Sequence, residues 1–331
     1  MTFGPYIGTV IHSKEVDPSL WITTERYGAR PVTDQEAGRS VVAAPSPRLR
    51  TLGIALVVLS TIAIAIVPSL ASLAYEGGSN TLSVITGRSI FSVLITFLLI
   101  LLLRQPLAIP RKPLLIGLAT GVGYAVILYG YLGAVNYLAV SLVILIYFIH
   151  PLLVGFIVMC LGQEQLTLIS LGALIAALVG LGLAIGFSFE TPDPVGIGLA
   201  TMAMVVTAVV IVANSYAIKK APALSIGFYM MVSAAATLAV FFSIYGSLAL
   251  PTTGQGWMGF IGVAIAATTG TLAFMCGMAH VGAARAAMIT NLEPVVGVLF
   301  AIIILGEKVT PLQGIGILIV IGAIFVMERQ R

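Results

Sequence analysis

The chain has 331 residues, of which 59% are hydrophobic and only 8% are charged, and its formal net charge is +4. This composition excludes a soluble domain, in which about a quarter of the residues are charged. It does not indicate nucleic-acid binding, because the few basic residues lie at the ends of apolar segments instead of forming one patch.

Residues 1–50 differ from the rest of the chain. They contain eleven charged residues of both signs, several prolines and no sustained apolar run. A signal peptide is not indicated, because it requires a basic start followed by an apolar core. We expect a solvated, disordered cytoplasmic tail.

From residue 51 onward the chain contains ten apolar segments of membrane-spanning length, joined by short loops. The approximate spans are 52–74, 81–103, 113–134, 138–161, 166–187, 195–217, 223–247, 257–279, 283–305 and 310–327. The predicted fold class is therefore an all-α integral membrane protein with ten transmembrane helices.

The lysines and arginines predict the orientation. If the N-terminus is inside, one side of the membrane receives Arg48, Arg50, Arg104, Arg111, Lys112, Lys219, Lys220, Arg329 and Arg331, whereas the other side keeps only Lys308. Loops that remain in the cytoplasm are enriched in Lys and Arg. We therefore expect a multi-pass protein of the cell membrane with both termini in the cytoplasm.

One pattern occurs twice. An ionisable residue precedes a proline inside an apolar run, as His150-Pro151 and again as Glu293-Pro294. A glutamate follows thirteen residues after each proline and a threonine three residues later, so the copies superpose at an offset of 143 (Glu164 and Thr167; Glu307 and Thr310). The repetition predicts two homologous repeats, residues 51–187 and 195–328.

Each predicted repeat has five helices. Because five is odd, the second repeat enters the membrane from the side opposite to the first. An inverted repeat of five plus five helices with broken helices at the midplane is typical of secondary transporters.

Several stretches resemble the EamA-type members of the drug/metabolite transporter superfamily. They are Arg88, the tyrosine-rich third segment (Tyr124, Tyr129, Tyr131), and the run from Gly282-Ala283-Ala284-Arg285-Ala286-Ala287 through Leu292-Glu293-Pro294-Val295 to Leu305-Gly306-Glu307-Lys308-Val309-Thr310. The resemblance covers roughly residues 51–328. It implies a ten-helix secondary transporter, often an exporter of amino acids, metabolites or drugs.

Glu293 is the leading site residue. It lies about ten residues into its segment, so roughly 15 Å deep, near the midplane. An unpaired carboxylate there costs about 2.5–3.5 kcal/mol or more, and ionisable groups at this depth are usually functional. We expect it to bind a proton and a cationic or amino-bearing substrate in alternation. The alternative is a structural glutamate bonded to neighbouring helices at a kink.

The two prolines are expected to break their helices. Proline lacks the donor N–H, so Pro151 frees the carbonyl of Tyr147 and Pro294 frees that of Thr290. With the side chains of Thr290 and Asn291, these carbonyls are predicted to face a cavity as acceptors. The alternative is a plain kink that only shapes packing.

Four further side chains complete the predicted site. His150 is a candidate proton relay, or else a neutral, hydrogen-bonded histidine. Arg88, roughly 10 Å deep, is expected to bind a substrate carboxylate or Glu293, or else to extend to the membrane surface. Tyr131 and Tyr147 are expected to stack on an aromatic substrate or cage a cation, or else to pack.

The predicted function is secondary active transport of a small organic solute (an amino acid, metabolite or drug-like compound), outward by alternating access, with proton antiport as the preferred energy source. A passive facilitator or exchanger of the same solutes is the close alternative, and a channel or membrane sensor is less favoured. The expected partners are the solute, the lipid bilayer and protons, without nucleic acid, and the sequence sets no oligomeric state.

Enzyme activity is not expected. The chain has no HExxH motif, paired aspartates, Ser-His set or Walker A motif. Cys160 and Cys276 lack metal-ligand spacing, so the sequence indicates neither a cofactor nor a metal site.

Overall fold

A computed structural model describes residues 47–134, 137–138, 140–162, 167–185, 193–300, 303 and 310–328. All regular secondary structure in these residues is helical. The helices are α1 Pro47–Ala65, α2 Val67–Glu76, α3 Thr81–Leu102, α4 Arg111–Ala134, α5 Val140–Tyr147, α6 His150–Cys160, α7 Leu168–Ile185, α8 Pro194–Ala217, α9 Ala223–Tyr245, α10 Gly254–Val281, α11 Ala283–Ile289, a 3-10 helix Thr290–Leu292, α12 Glu293–Phe300 and α13 Pro311–Glu328.

Seven helical stretches in the described part are long and apolar enough to cross a membrane. They are Arg48–Glu76, Thr81–Leu102, Arg111–Tyr131, Leu142–Cys160, Pro194–Ala217, Ala223–Tyr245 and Gly254–Val281. The fifth and tenth predicted segments contain shorter apolar helices, Leu171–Leu183 and Pro311–Ala323. The ninth is divided into α11, the 3-10 helix and α12.

Some predicted features lie outside the described residues. These are residues 1–46 of the expected tail, Glu164, Glu307, Lys308, Arg329 and Arg331. The first helix begins at Pro47, five residues before the predicted start of the first segment. Its first turn therefore includes Arg48 and Arg50, which were expected to belong to the tail.

Three helices are interrupted next to a proline. The second interruption separates α5 from α6 at Pro151, and the third separates α11 from α12 at Pro294. Both were expected, because proline removes a backbone donor and clashes with the preceding turn. The first interruption, between α1 and α2 beside Pro68, was not expected.

Hydrogen bonds between loops define one end of the helix bundle. The backbone N–H of Thr252 donates to the carbonyl of Gly77 over 2.8 Å. The side-chain amide of Asn80 donates to the carbonyl of Ser247 over 2.7 Å. These bonds join the α2–α3 turn to the loop between α9 and α10.

The other end of the bundle is joined in the same way and carries the basic residues. The hydroxyl of Ser225 donates to Pro106 O over 2.7 Å, and that of Tyr229 donates to Leu107 O over 2.9 Å. The helix ends and loops here contain Arg48, Arg50, Arg104, Arg111, Lys112, Lys219, Lys220 and Arg285. We name this the basic end, and we name the other the opposite end.

Helices from the two halves of the chain pack against each other. The α1 helix packs on α10 and the 3-10 helix, whereas α4 packs on α8 and α9. Likewise α7 packs on α13, and α3 packs on α9 and α10. The broken helix α5–α6 packs on α8, and the broken helix α11–α12 packs on α1. The two breaks therefore lie inside one interlocked bundle.

A layer of small side chains lies between the breaks and the basic end. Ala283, Ala284, Ala286 and Ala287 of α11 are all at most 2% exposed. They pack against valines of α1 and α6 (Val57, Val154, Val158) and against Ala208 of α8. We name this set the alanine layer.

Candidate functional site

A central cavity of about 290 Å³ lies where the three helix breaks meet. Six of the seven residues predicted to bind substrate or protons line it: Arg88, Tyr131, Tyr147, His150, Thr290 and Glu293. The unexpected break contributes Val67 and Pro68. All three interruptions lie next to a proline, and all three border the central cavity.

Glu293 is the first residue of α12, and its half-buried side chain lines the cavity. It is close enough to Tyr131 and Tyr147 for an electrostatic interaction. Within the described part of the chain its carboxyl group makes no hydrogen bond or ion pair, so a direct pair with Arg88 is absent there.

Arg88 points into the cavity. Its Nη2 donates to the hydroxyl of Tyr124 over 3.4 Å, and both side chains line the cavity. In this arrangement the arginine does not extend to the membrane surface, which was the alternative to a role in the site. The cavity thus contains one guanidinium group and one carboxyl group that are not paired with each other.

His150 is only 4% exposed and bonds to the carbonyl that Pro151 frees. Its Nδ1 lies 2.9 Å from the carbonyl oxygen of Tyr147. Because a carbonyl only accepts hydrogen bonds, Nδ1 carries the hydrogen and Nε2 keeps the lone pair in the neutral ring. The freed carbonyl therefore already accepts one hydrogen bond within the protein, whereas the Nε2 lone pair is available for a proton.

The second freed carbonyl, that of Thr290, accepts the backbone N–H of Glu293. The Thr290 hydroxyl donates to the carbonyl of Ala287 over 2.6 Å. Side chains three residues apart eclipse in a 3-10 helix, which places Thr290 and Glu293 on the same face, toward the cavity. Both freed carbonyls therefore already accept one hydrogen bond within the protein.

Asn291 lies outside the cavity lining, although the sequence predicted that it faces the cavity. The 3-10 helix turns its side chain away from the face that Thr290 and Glu293 share. Asn291 is 3% exposed, and its Oδ1 has no partner among the described residues.

The two predicted tyrosines touch each other. The rings of Tyr131 and Tyr147 meet edge to face with their centres 5.0 Å apart. The hydroxyl of Tyr147 lies 3.4 Å from that of Thr207 on α8. Tyr129, from the same tyrosine-rich helix, lies outside the cavity and is 54% exposed. Tyr131 and Tyr147 thus form an aromatic wall of the cavity, and Tyr129 is not part of it.

Sequence reasoning missed a polar face of α8. Thr207 and Asn214 both line the cavity. Asn214 Oδ1 accepts from the hydroxyl of Thr120 over 3.0 Å, and its Nδ2 lies 3.3 Å from the sulfur of Met230. The available signal was helical spacing, because residues seven apart share a face. It was overlooked because neither side chain is ionisable.

No group of three or more His, Cys, Asp or Glu side chains in the described residues is arranged to hold a metal ion. Cys160 and Cys276 are free thiols. The cavity instead offers one carboxyl group, one guanidinium group, an imidazole, hydroxyls and aromatic rings.

The second half of the chain, residues 194–329, matches the sequence model of the EamA-like transporter family. This family lies within the drug/metabolite transporter superfamily, so the predicted resemblance is confirmed. The EamA-like match and the seven membrane-length stretches indicate a multi-pass membrane transporter of this type, with a small-molecule substrate and the lipid bilayer as partners.

The chain also resembles proteins of known structure. One, described only as the crystal structure of a protein, is 16% identical, with a TM-score of 0.70 over 85% of this chain and 97% of the other. In all, 29 chains of solved structure match. At this identity the likeness shows the fold alone. No curated protein matches the sequence.

Proposed function

We propose that this EamA-like protein is a secondary active transporter that exports a small organic solute by alternating access, with proton antiport as its energy source. The observation that carries the proposal is the central cavity, in which Glu293 and His150 lie beside two matching helix breaks. Ionisable groups buried inside a membrane bundle are costly, and they usually mark substrate or proton pathways.

We further propose ten transmembrane helices in an inverted repeat of five plus five. In this arrangement α1 and α2 together are the first helix, the two broken helices are the fourth and ninth, and α13 is the tenth. If each helix is replaced by its counterpart in the other repeat, the α1–α10 contact becomes the α4–α8 contact. The α7–α13 and α3–α9 contacts each become themselves. All four contacts are present, which supports the exchange.

We propose that the basic end faces the cytoplasm of the cell, with both termini on that side. The positive-inside rule supports this orientation, because the arginines and lysines of the described helix ends and loops lie at one end of the bundle. The alanine layer then lies between the central cavity and the cytoplasm.

The two titratable groups have different proposed roles. Glu293 binds the proton or the amino group of a solute in alternation, since its carboxyl group has no partner among the described residues. His150 can take a proton on Nε2 while Nδ1 keeps its bond to Tyr147 O. Arg88 binds the anionic group of the solute in place of the Tyr124 hydroxyl.

The test is transport in proteoliposomes with and without an imposed pH gradient. The solute is first identified by ligand-induced thermal stabilisation across a panel of amino acids, amines, nucleosides and drugs. We expect gradient-driven flux in the wild type and loss of the gradient dependence in Glu293→Gln. The matched control is Glu76→Gln, an exposed carboxylate at the end of α2, which should leave transport unchanged.

The passive facilitator or exchanger remains the second candidate, because the same cavity would serve it without protons. Flux that does not respond to the pH gradient and is the same in the wild type and Glu293→Gln would contradict proton coupling. Accelerated exchange of labelled for unlabelled solute under those conditions would then favour the exchanger.

A further inference from the structure

A second and larger cavity of about 780 Å³ lies toward the opposite end of the bundle, between α3, α4 and α9. Its walls include the apolar side chains Leu82, Val126, Leu128 and Phe241. None of the lining residues that the structure describes is charged, and the hydroxyl of the lining Thr237 already donates to a backbone carbonyl on its own helix. We name this cavity the apolar cleft.

The apolar cleft adjoins the central cavity. Leu128 lines both spaces. On α3, Arg88 lies one helical turn from Ile85 of the cleft, in the direction of the basic end. On α4, Tyr124 lies one turn from Leu128 in the same direction. The pair Arg88–Tyr124 belongs to the central cavity. Leu128 is therefore a shared wall of the apolar cleft and of the cavity that contains the Arg88 guanidinium group.

The cleft also reaches the lipid-facing surface. Tyr129, which is 54% exposed, meets Phe241 edge to face at 5.5 Å to form one wall. An apolar chamber of this kind favours hydrocarbon over water, because water inside it would find few hydrogen-bonding partners.

We propose that the apolar cleft binds the hydrocarbon chain of an amphipathic solute whose polar head occupies the central cavity. This inference rests on the proposed transport function and names the solute class. The head is zwitterionic, with its anionic group at Arg88 and its cationic group at Glu293. The chain passes Leu128 into the cleft.

Size and energetics favour this occupant. The central cavity alone is at the lower limit of ligand pockets, which span about 300–1,000 Å³, whereas the cleft lies well within that range. Each methylene that moves from water into an apolar site strengthens binding about fourfold. A bilayer phospholipid is the rival occupant, but its head group stays at the membrane surface and would not use the charged groups of the central cavity.

The test is photolabelling of the full-length protein in nanodiscs. The probe is an α-amino acid with a straight chain of about ten carbons that carries a diazirine at its far end. We expect labelled peptides from residues 81–85, 125–129 and 237–241. A four-carbon analogue should label residues of the central cavity instead.

Substitutions that fill the cleft provide the control. Val126→Trp should lower labelling in the cleft about fifteenfold, the loss expected when roughly two methylenes are excluded. Val122→Trp is the matched control, because Val122 lies one turn away on α4, is 45% exposed and does not line the cleft. Leu82→Phe replaces Val126→Trp if that variant does not fold, as judged by size-exclusion chromatography.

Several results would overturn the proposal. One is labelling confined to lipid-facing positions such as Leu98 and Leu101. Another is cleft labelling that Val126→Trp leaves unchanged. A third is equal labelling by a diazirine phosphatidylcholine that excess ten-carbon amino acid does not displace. Transport with an unlabelled cleft refutes this inference alone, whereas a labelled cleft without transport refutes the transport function alone.

Discussion

Replacing Gly121 by alanine is expected to separate α4 from α9 beside the central cavity. A Cβ atom at Gly121 would lie 2.7 Å from Cβ of Ser233 and 3.0 Å from the backbone nitrogen of Ala234, and closer still to the carbonyl oxygen of Met230. Ordinary contacts begin at 3.4 Å, so α9 must move by at least about 0.7 Å, the difference between 3.4 and 2.7 Å. Two of these three atoms are backbone, so no side-chain rotation relieves the contact.

The size of the effect follows from two opposing terms. Overpacking a tight contact costs typically 1–3 kcal/mol. Alanine in place of glycine inside a helix contributes roughly 0.5–1 kcal/mol of stability. The net expectation is a loss of about 1–2 kcal/mol in the free energy of unfolding. Because Met230 also lines the central cavity, the same movement should weaken solute binding.

The assay compares apparent melting temperatures of detergent-solubilised variants by fluorescence-detected size exclusion. Gly198→Ala is the matched control, because a Cβ atom there meets no other atom within 4 Å. We expect Gly198→Ala to melt at or above the wild-type temperature and Gly121→Ala below it. If the two variants melt together, the argument that α4 and α9 touch through this glycine is refuted.

Two other predictions concern hydrogen bonds between residues that lie far apart in the sequence. Asn80 caps α3 by accepting the N–H of Ser83 over 2.8 Å, and it also donates to Ser247 O. Asn80→Asp should keep the cap and lose the second bond, which lowers the free energy of unfolding by about 1 kcal/mol, whereas Asn80→Ala should lower it by about 1 kcal/mol more. Equal melting temperatures of the two variants would contradict this prediction. The hydroxyls of Ser92 and Thr268 lie 2.6 Å apart. A double-mutant cycle with Ser92→Ala and Thr268→Val should give a coupling free energy of about 0.6 kcal/mol in unfolding. Strictly additive effects of the two substitutions would show that this hydrogen bond contributes nothing to stability.

The sequence predicted the helix breaks at Pro151 and Pro294 because a missing backbone donor acts locally. The same locality made Glu293 and His150 conspicuous, since each stands alone in an apolar run. The break beside Pro68 carried the same signal. It went unused because the surrounding apolar segment was treated as one continuous helix.

Other parts of the site depend on tertiary structure. Asn214 is polar but neutral, and its role becomes visible only when Thr120 on another helix lies 3.0 Å away. The direction of Asn291 depends on three residues adopting 3-10 geometry in place of α-helical geometry. No local pattern in the sequence distinguishes a 3-10 helix from an α-helix over a single turn.

The alanine layer has a consequence for reversibility. Alanine has no rotatable side-chain bond that matters for packing, so ordering it on contact costs no side-chain entropy. The α11 surface that carries Ala286 and Ala287 therefore adds no alternative rotamers to its contact with Val57, Val154 and Val158. If the protein works by the proposed alternating access, this layer should separate and close again with little rearrangement of the α11 side chains in each transport cycle.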